Sequence, residues 1–521
     1  MTGLNLYMRA AKRSTTLLCA GVVSVALGAC APVPLDAPKP VSFAAVAPPS
    51  SKLQQSARAL AADRPASHTS FAPLADGNEA LGARLRSIEA AEQTIDLQYF
   101  LMKPDLAGAL VSQALLKAAD RGVRVRYLID DVFTTVSDDT LGYLDAHPNM
   151  EVRVFNPSAR PGSKFLNFVT EFARVNRRMH NKIFTVDGAS AIIGGRNIAD
   201  EYFQIQTTSE FADFEMLLTG PAVADVQKAF DLYWNDGWSV PMSRLKEPPS
   251  QAELAQARSE LDARLVPARD VYDKAVNDPY FARLSAGEEA IFSGPTTVVV
   301  DRPVKVKTPV RGGERVLAET LLRRMKNAKK DVILITPYFV PEDYGARLFE
   351  NLAQRGVRVR IVTNSVGSTN HTYVHAGYRR HREPLLRAGV EIYELRSDAM
   401  QALGELPPDD KTGLVMHSKA AVIDTNEVFV GSMNLDPRSV KINSELGVFF
   451  DSPAFGRFMQ ERLQIGLRDY AYRLSLAPDG RLLWHYDNPQ ARSVTVKEPG
   501  ATAWNGFVIG LTELLGVESQ L

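Results

Sequence analysis

The chain has 521 residues, of which 45% are hydrophobic and 23% are charged, and its 60 basic residues equal its 60 acidic ones. This length exceeds a single typical hydrophobic core, so two domains are expected, and the balanced charge removes the usual electrostatic argument for nucleic-acid binding. Both cysteines, Cys19 and Cys30, lie within the first thirty residues, which excludes a disulfide framework or a cysteine-based metal site in the rest of the chain.

The first predicted element is an export signal. Basic residues within 9–13 precede an apolar stretch over 17–27, and small residues then lead to Cys30. This order is typical of a bacterial lipoprotein signal, here residues 1–29, cleaved before the cysteine. Acyl chains on Cys30 would anchor the protein to a membrane without spanning it. A plain secretory signal and a short membrane anchor are the alternatives, and Ala31 after the cysteine favours the outer membrane.

The rest of the chain divides into a tether and two similar halves. A Pro-, Ala- and Ser-rich composition indicates that residues 30–75 connect the lipid to the folded body. The predicted parts that follow are an N-terminal domain (76–240), a connecting insertion (241–313), a C-terminal domain (314–470) and an extension (471–521). The last apolar stretch, 504–521, is either a docked helix or a helix on a membrane surface.

Strand–helix–strand units recur in the two halves. The first predicted unit has a strand over 95–100, a helix over 107–119 and a strand that starts within 121–126. The second has a strand over 332–339, a helix over 344–354 and the hexamer Arg-Gly-Val-Arg-Val-Arg of 121–126 again at 355–360. A colinear repeat of domain size with this alternation predicts a layered α/β fold in each half. The connecting insertion has no counterpart, and we expect a charged helix over 252–265 and a strand over 296–306 there.

A pattern of five residue types also occurs twice, with the same spacing in both copies. The copies are His180, Lys182, Asp187, Gly194 and Asn197, and His417, Lys419, Asp424, Gly431 and Asn434. Strand alternation places each histidine and its lysine on one face. Such a set suits a phosphate, because lysine and asparagine stabilise its oxygens while histidine supplies covalent or acid–base catalysis. The repeat therefore predicts one active site made from two halves.

These residues resemble the phospholipase D superfamily, whose members carry two His-x-Lys-x4-Asp motifs. The resemblance covers nearly all of the chain after the tether, and within the superfamily it favours the lipoprotein-like bacterial cardiolipin synthases. It rests on the motif pair and on the stretches 178–182, 193–198, 337–341 and 374–378. It implies two phospholipase D-like α/β/α sandwich domains, related by a pseudo-twofold axis, with one shared active site. It implies neither a metal nor a nucleotide cofactor.

The resemblance also implies roles for the motif residues. His180 would attack the phosphodiester to form a phosphohistidine, and His417 would protonate the leaving alcohol and then deprotonate the incoming one. The phosphate would be held by Lys182, Lys419, Asn197 and Asn434. Among the catalytic motif residues, Asp187 and Asp424 are expected to hold structure rather than touch substrate.

Each motif histidine needs a carboxylate on its second ring nitrogen to fix its tautomer. Asp213 and Glu445, which follow the two motifs, are the candidates, and the family implies that they cross over, Glu445 to His180 and Asp213 to His417. One departure from the family pattern is Gly195, at the position where the second motif keeps Ser432. Both positions are expected at the substrate, so the missing hydroxyl predicts altered phosphate contacts rather than inactivity.

The resulting functional hypothesis is a membrane-anchored phosphatidyltransferase that makes cardiolipin. Its partners would be phospholipids, with phosphatidylglycerol as acceptor and phosphatidylethanolamine as a candidate donor, and no nucleic acid. The nearest alternative is a phospholipase D-type hydrolase that releases phosphatidic acid. A superfamily nuclease and a non-catalytic envelope lipoprotein are further alternatives, against which the lipid anchor and the two complete motifs argue. The need for an accessory protein stays open.

Overall fold

The computed structural model describes residues 33–160, 171–205, 208–489 and 491–515. The predicted signal (1–29) and Cys30 lie outside these residues. The strands are β1 (Thr69–Leu74), β2 (Thr94–Tyr99), β3 (Arg124–Asp130), β4 (Met150–Phe155), β5 (Ile183–Val186), β6 (Ser190–Gly194), β7 (Ser209–Ala212), β8 (Glu215–Thr219), β9 (Ser239–Pro241), β10 (Phe292–Gly294), β11 (Thr296–Val300), β12 (Asp331–Ile335), β13 (Arg358–Asn364), β14 (Glu391–Leu395), β15 (Gly413–Met416), β16 (Ala420–Ile423), β17 (Glu427–Gly431), β18 (Leu446–Asp451), β19 (Ala471–Leu476), β20 (Leu482–Asp487) and β21 (Arg492–Thr495).

Helices flank these strands throughout the described chain. They are α1 (Lys52–Ala61), α2 (Gly77–Ala90), α3 (Leu106–Asp120), α4 (Asp138–Asp145), α5 (Phe172–Val175), α6 (Pro221–Trp234), α7 (Gln251–Leu265), α8 (Arg269–Val276), α9 (Pro279–Ala286), α10 (Val304–Lys307), α11 (Val316–Lys326), α12 (Glu342–Gln354), α13 (Thr372–Arg387), α14 (Ala399–Ala402), α15 (Pro437–Lys441), α16 (Pro453–Tyr470) and α17 (Ala503–Leu515). None of the helices in the described ranges is long and apolar enough to cross a membrane.

Two mixed sheets follow one plan. The first has the order β10-β1-β8-β6-β5-β2-β3-β4-β9, and the second has the order β11-β18-β17-β16-β12-β13-β14-β19-β20-β21. The run β8-β6-β5-β2-β3-β4 of the first sheet corresponds in order to the run β18-β17-β16-β12-β13-β14 of the second, with the parallel pairs of each large sheet at the equivalent places. The predicted fold class, two α/β domains with a repeated architecture, is confirmed.

Hydrophobic burial joins the two domains. One core lies between the first sheet and helices α2 and α3, and another lies between the second sheet and helices α11 to α13. A third core contains residues of both sheets together with α6 and α16, so these helices fill the space between the domains. Because apolar burial is the main favourable term in folding, this shared core holds the two halves in one arrangement.

The repeated hexamer ends a helix before it begins a strand. In each copy the glycine, Gly122 or Gly356, has a positive φ, +92° and +80° respectively. Glycine is the residue that ends helices in this left-handed conformation without a steric penalty. The following strand starts within each hexamer, at Arg124 and at Arg358. The predicted strand over 332–339 ends early, at Ile335, two residues before Pro337, because proline lacks the amide that a sheet needs.

The segment predicted as a tether is largely part of the first domain, which corrects the sequence-based expectation. The backbone amide of Ala44 donates to the Asp231 carboxylate, and the indole of Trp234 donates to the hydroxyl of Ser42. Ala47 is 3% exposed, and residues 69–74 form β1 inside the first sheet. Composition alone missed these contacts because α6 supplies the polar partners from a distant part of the chain.

The connecting insertion and the C-terminal extension also belong to the domains. The predicted charged helix is observed as α7, but the predicted strand over 296–306 ends at Val300 and a short helix, α10, follows. Strands β10 and β11 form the outer edges of the first and second sheets. Beyond Tyr470, β19 pairs with β14 and extends the second sheet. The boundaries proposed at 313 and 470 therefore do not separate independent units.

Candidate active site

At the site, backbone segments from the two halves of the chain pair with each other. Strands β7 and β15 pair in parallel, with Ala212 opposite Met416. An isolated parallel bridge joins Met179 to Ser444 in the equivalent place. These four residues immediately precede Asp213, His417, His180 and Glu445, respectively. The backbone thus places one histidine of each motif next to a carboxylate from the opposite half.

The first crossed pair is His180 with Glu445. The Nδ1 atom of His180 lies 3.0 and 2.8 Å from the two carboxylate oxygens of Glu445. The backbone amide of His180 also donates to the carbonyl of Ser444 at 2.9 Å. Because Nδ1 carries the hydrogen toward the carboxylate, Nε2 is left with its lone pair for a reacting atom.

The second crossed pair has the same form. Nδ1 of His417 lies 2.6 Å from Oδ2 of Asp213, and the backbone amide of His417 donates to the carbonyl of Ala212 at 2.9 Å. The side chains of both histidines are at most 10% exposed, and both carboxylates are fully buried. Two oriented imidazoles with buried carboxylates form the nucleophile–base–orienter geometry of covalent catalysis.

Burial sets the charge states of the two pairs. It lowers the pKa of His180 to about 4 and that of His417 to about 3, against the opposing pull of the carboxylates. Burial alone would raise the pKa of Asp213 and Glu445, but the neighbouring histidines and lysines outweigh it and hold the pKa of both below its usual value. At neutral pH the empty site therefore contains neutral imidazoles and ionised carboxylates.

The two motif lysines lie in the same buried space. Nζ of Lys182 donates to the carbonyl of His180 at 2.7 Å, and Nζ of Lys419 donates to the carbonyl of His417. Burial lowers the pKa of Lys182 to about 7 and that of Lys419 to about 8, and each lysine also lowers the pKa of the other half's histidine. Two partly desolvated ammonium groups favour an anion in the gap between them.

The motif asparagines also lie at the site. Asn197 and Asn434 are 1% and 5% exposed. In both, the carboxamide oxygen is buried without a hydrogen-bond partner among the described residues, while Nδ2 of Asn197 donates to the hydroxyl of Tyr202 at 2.9 Å. Buried polar atoms in folded proteins usually have partners, so the two halves share the same unusual feature, an unpaired acceptor on the motif asparagine.

Aromatic rings enclose the histidines. Phe100 contacts the ring of His180 edge-on at 4.8 Å between centroids, and its ring also lies 5.2 Å from Nζ of Lys182. Phe211 stacks on His417 at 5.3 Å, and Tyr202 meets the same ring edge-on at 5.2 Å. These rings exclude water from the imidazoles, which accounts for the desolvation that lowers their pKa values.

The motif aspartates clamp the backbone away from the chemistry. The carboxylate of Asp187 accepts hydrogen bonds from three consecutive backbone amides, those of residues 92–94. Asp424 does the same for residues 329–331. Both aspartates have positive φ, 55° and 54°, in the turns of the β5–β6 and β16–β17 hairpins. Their contacts join each hairpin to the start of β2 or β12, at the far end of the hairpin from the motif histidine, so they act on structure.

Ser432 and Gly195, which were expected at the substrate, lie beside the two buried carboxylates. The Ser432 hydroxyl donates to Glu445 at 2.5 Å. A Cβ atom at Gly195 would lie 2.2 Å from Oδ1 of Asp213. The shorter carboxylate of Asp213 therefore occupies the room that a side chain would take at Gly195. The departure from the family pattern therefore lies next to Asp213, the carboxylate that contacts His417.

Two supporting residues escaped the sequence analysis. Oδ2 of Asp130, the last residue of β3, accepts the backbone amide of Met179 at 2.9 Å. Asn364, the last residue of β13, exchanges two hydrogen bonds with the backbone of Met416, each 2.9 Å. Each thus fixes the residue before a motif histidine. Aligning the repeated strands would have found them, because both end the strand that follows the shared hexamer.

Among the described residues, no group of three or more His, Cys, Asp or Glu side chains could hold a metal ion. The histidine-rich stretch of α13 has another function in the fold. His375 and Arg382 both contact the carboxylate of Glu498, and Arg382 also pairs with Glu394. This buried ionic network attaches the segment that leads to α17 to the second domain.

Comparison with known proteins finds matches to both domains. A family model described as "Cardiolipin synthase, PLD-like domain" matches residues 85–234 and 321–464. Cardiolipin synthase C of Escherichia coli is 36% identical over 86% of this chain and 95% of its own length. An uncharacterised protein of Helicobacter pylori is 33% identical over 78% of this chain and 80% of its own.

More distant similarity extends to other members. A cardiolipin synthase of Clostridium perfringens is 26% identical over 74% of this chain and 68% of its own. The crystal structure of phosphatidylserine synthase from Haemophilus influenzae superposes with a TM-score of 0.57 at 14% identity, over 87% of this chain and 95% of that one. This last similarity concerns the fold alone.

Proposed function

The chain belongs to the phospholipase D-like family of the cardiolipin synthases, and from this membership we propose that it is a phosphatidyltransferase acting on membrane phospholipids. The observation that carries the proposal is the pair of crossed histidine–carboxylate contacts, His180 with Glu445 and His417 with Asp213. Two oriented imidazoles beside two buried lysines suit a phosphodiester that is exchanged between two alcohols.

In the first step, Nε2 of His180 attacks the phosphorus of a donor phospholipid. A phosphorus–nitrogen bond forms as the bond to the donor's headgroup oxygen breaks, and His417 gives its proton to that oxygen. His417 must be protonated for this step, and the negative charge of a bound phosphodiester raises its pKa from the low value of the empty site. Glu445 and Asp213 stabilise the positive charge that develops on each imidazole.

In the second step, the hydroxyl of phosphatidylglycerol attacks the phosphohistidine. His417, now neutral, takes the hydroxyl proton as the new oxygen–phosphorus bond forms and the bond to His180 breaks. The product is cardiolipin, and both histidines return to their starting states. Throughout, Lys182, Lys419, Asn197 and Asn434 would stabilise the charge on the non-reacting phosphate oxygens.

The proposal includes attachment to a bacterial envelope membrane through a lipidated Cys30 after export across the inner membrane, with the outer membrane favoured. Both substrates are bilayer lipids, so an anchor would keep the enzyme at their surface. The E. coli relative that matches 86% of this chain bears the name of a cardiolipin synthase, which supports the same substrate class here.

Product analysis by mass spectrometry tests this proposal. The protein would be placed in vesicles of phosphatidylglycerol and phosphatidylethanolamine, beside His180→Ala and His417→Ala variants. Cardiolipin that forms only with both histidines intact would support the transferase, and the released headgroup would identify the donor. Phosphatidic acid without cardiolipin would identify a hydrolase with the same covalent intermediate.

A further inference from the structure

Helix α17 presents an apolar face to solvent. Ile509 and Thr512 are buried against the rest of the protein, whereas the opposite side carries large exposed side chains. The exposed members are Trp504 (69%), Phe507 (59%), Leu511 (43%), Leu514 (84%) and Leu515 (63%). These residues recur at three- and four-residue intervals and so form one stripe. The only charged side chain in the helix is Glu513, so the stripe itself is uncharged.

The same helix lies at the active-site end of the second domain. Ile509 packs in one cluster with Val366 and Ala376, and Asn505 donates to the hydroxyl of Thr372 at 3.2 Å. Val366 and Thr372 flank the loop that follows β13. That strand ends at Asn364, which holds the residue before His417. The apolar stripe is therefore attached to the edge of the sheet where the histidine is placed.

Each domain also exposes one aromatic ring near these elements, next to the attachment of α17 in one case and next to the site in the other. Tyr373, at the start of α13, is 43% exposed and contacts His371 at 5.3 Å between ring centroids. On the side of the first domain, Phe133 is 49% exposed and lies 4.9 Å from Phe100, the ring that contacts His180. A stripe of large apolar side chains on one helix, unlike apolar residues exposed singly, marks an interaction surface.

We propose that α17, together with Tyr373 and Phe133, inserts into the interfacial region of a phospholipid bilayer. Tryptophan and phenylalanine beside leucine are the residues that amphipathic helices bury at this depth, and tryptophan favours the headgroup level. This contact would present the active site to the membrane, so that a headgroup enters the site while the acyl chains stay in the bilayer. The orientation rests on the proposed function, but the insertion of α17 does not.

The binding is testable through Trp504 itself. Of the four tryptophans, Trp234 and Trp484 are buried at 0% and 3% exposure and Trp238 is partly buried. The full-length protein would be reconstituted into phosphatidylglycerol and phosphatidylethanolamine vesicles that contain lipids brominated near the headgroup. We expect the brominated lipids to quench a component of the fluorescence that is absent from Trp504→Phe. Equal quenching of the two proteins would overturn the proposal, even if the N-terminal anchor holds both at the membrane.

A charge placed on the stripe provides the second test. Phe507→Glu and Leu514→Glu together should lower the activity on vesicle lipids at least tenfold, while the activity on a short-chain, monomerically dispersed donor stays unchanged. Val266→Glu, at an apolar residue of the connecting insertion that is 74% exposed, is the matched control and should leave both activities unchanged. A double variant that keeps full activity on vesicles would contradict the proposal.

Self-association is the rival use of an apolar face. If a second copy covered the stripe, the protein would form dimers in solution that Phe507→Glu abolishes, and Trp504 would stay unquenched in vesicles. That pair of results would overturn the membrane contact. The quenching experiment needs no turnover, so its result stands even if the proposed function fails. Failure of the membrane contact and failure of the proposed function are therefore distinguishable.

Discussion

Oδ2 of Asp213 lies 2.6 Å from Nδ1 of His417, although the two residues come from different halves of the chain. The converse contact, Glu445 with His180, completes an exchange of carboxylates between the domains. Each imidazole is therefore oriented by the domain that does not contain it. Neither half alone holds an oriented imidazole, so we expect each separate half to be inactive.

The crossed carboxylates give the first prediction. Glu445→Gln and Asp213→Asn keep the size of the side chain but remove the charge that fixes the tautomer of His180 and His417. The loss in kcat should be about 10⁴-fold, by comparison with the equivalent change in serine proteases. Steady-state kinetics on a soluble short-chain donor measures it.

Glu210→Gln provides the matched control for these variants. Glu210 lies on β7, three residues before Asp213, and burial together with Asp76 and Asp410, rather than any motif residue, raises the pKa of its carboxyl. Its variant should keep the activity of the unmodified protein. A Glu445→Gln variant as active as this control would mean that the contact does not serve catalysis.

The family pattern alone would suggest that Gly195→Ser improves the site, whereas the structure predicts that this change lowers activity. Because a Cβ atom there would lie 2.2 Å from Asp213, Gly195→Ala and Gly195→Ser should displace the carboxylate from His417 and lower kcat about 10²-fold. Ser432→Ala only removes one donor to Glu445, and a charge-assisted hydrogen bond contributes about 2 kcal/mol. Its effect should be a decrease of up to about thirtyfold.

The control for Gly195 is Gly142→Ala. Gly142 lies in α4, and a Cβ atom there would meet nothing within 4 Å. Activity equal to that of the unmodified protein is expected for this control. If Gly195→Ser raised kcat instead, a hydroxyl at this position would support the site as Ser432 does, and the steric account would be wrong.

The motif aspartates should affect stability rather than chemistry. Asp187→Ala leaves three backbone amides without their acceptor, and so does Asp424→Ala. A buried unpaired donor costs about 1–3 kcal/mol, so Tm should fall by several degrees in Asp187→Ala while kcat per folded molecule is kept. The decrease should be smaller in Asp424→Ala, because two of the amides it accepts from are exposed. Calorimetry and active-site-normalised kinetics separate the two effects. Asp270→Ala, at an exposed residue of α8, should change neither, and a selective loss of kcat in Asp187→Ala would refute the structural role.

Both limbs of the pH profile of kcat/KM should lie at lower pH than the ordinary pKa values of histidine and lysine predict. With a p-nitrophenyl donor, whose headgroup leaves without a proton from His417, the profile of kcat/KM reports the free enzyme, in which the nucleophile His180 must be neutral and Lys182 charged. The acid limb should lie near pH 4 instead of 6.5, because burial lowers the pKa of His180 to about 4. The basic limb should lie near pH 7, the lowered pKa of Lys182. Limbs at the ordinary values of both groups would contradict the assigned burial.

The free energy of unfolding should also depend on the titration of His180 and His417. The folded histidines have pKa values below those of the unfolded chain, so the unfolded state binds more protons as the pH falls below 6.5. The free energy of unfolding should therefore decrease from pH 6.5 toward pH 4. Replacing His180 and His417 by glutamine should flatten this decrease, which urea unfolding at several pH values can measure.

The sequence predicted those parts of the site that depend on local pattern. The shared spacing of the motifs implied one site, and the hairpin turns at Asp187 and Asp424 followed from residues adjacent in the chain. The pairing of Asp213 with His417 came from family resemblance, because nothing local indicates which half supplies a carboxylate.

Features that depend on packing between distant segments were missed. Ser42 binds Trp234 and Asn235, a contact invisible in a composition typical of linkers. Likewise, the position of Gly195 against Asp213 is a fact of tertiary geometry, and it reversed the expected meaning of the missing serine. Strand β19 could be placed in the second sheet only once its partner, β14, was known.

The central claim is one active site in which His180 carries the phosphatidyl group and His417 moves protons. Trapping the intermediate tests it most directly. A donor whose headgroup is p-nitrophenol needs no proton to leave, so His417→Ala should still release one nitrophenolate per chain and then stall. Intact and peptide mass spectrometry should find the phosphatidyl group on His180 of that variant and no adduct in His180→Ala. An adduct on His417 in His180→Ala would reverse the two roles, and the absence of any adduct in both variants would contradict the covalent mechanism.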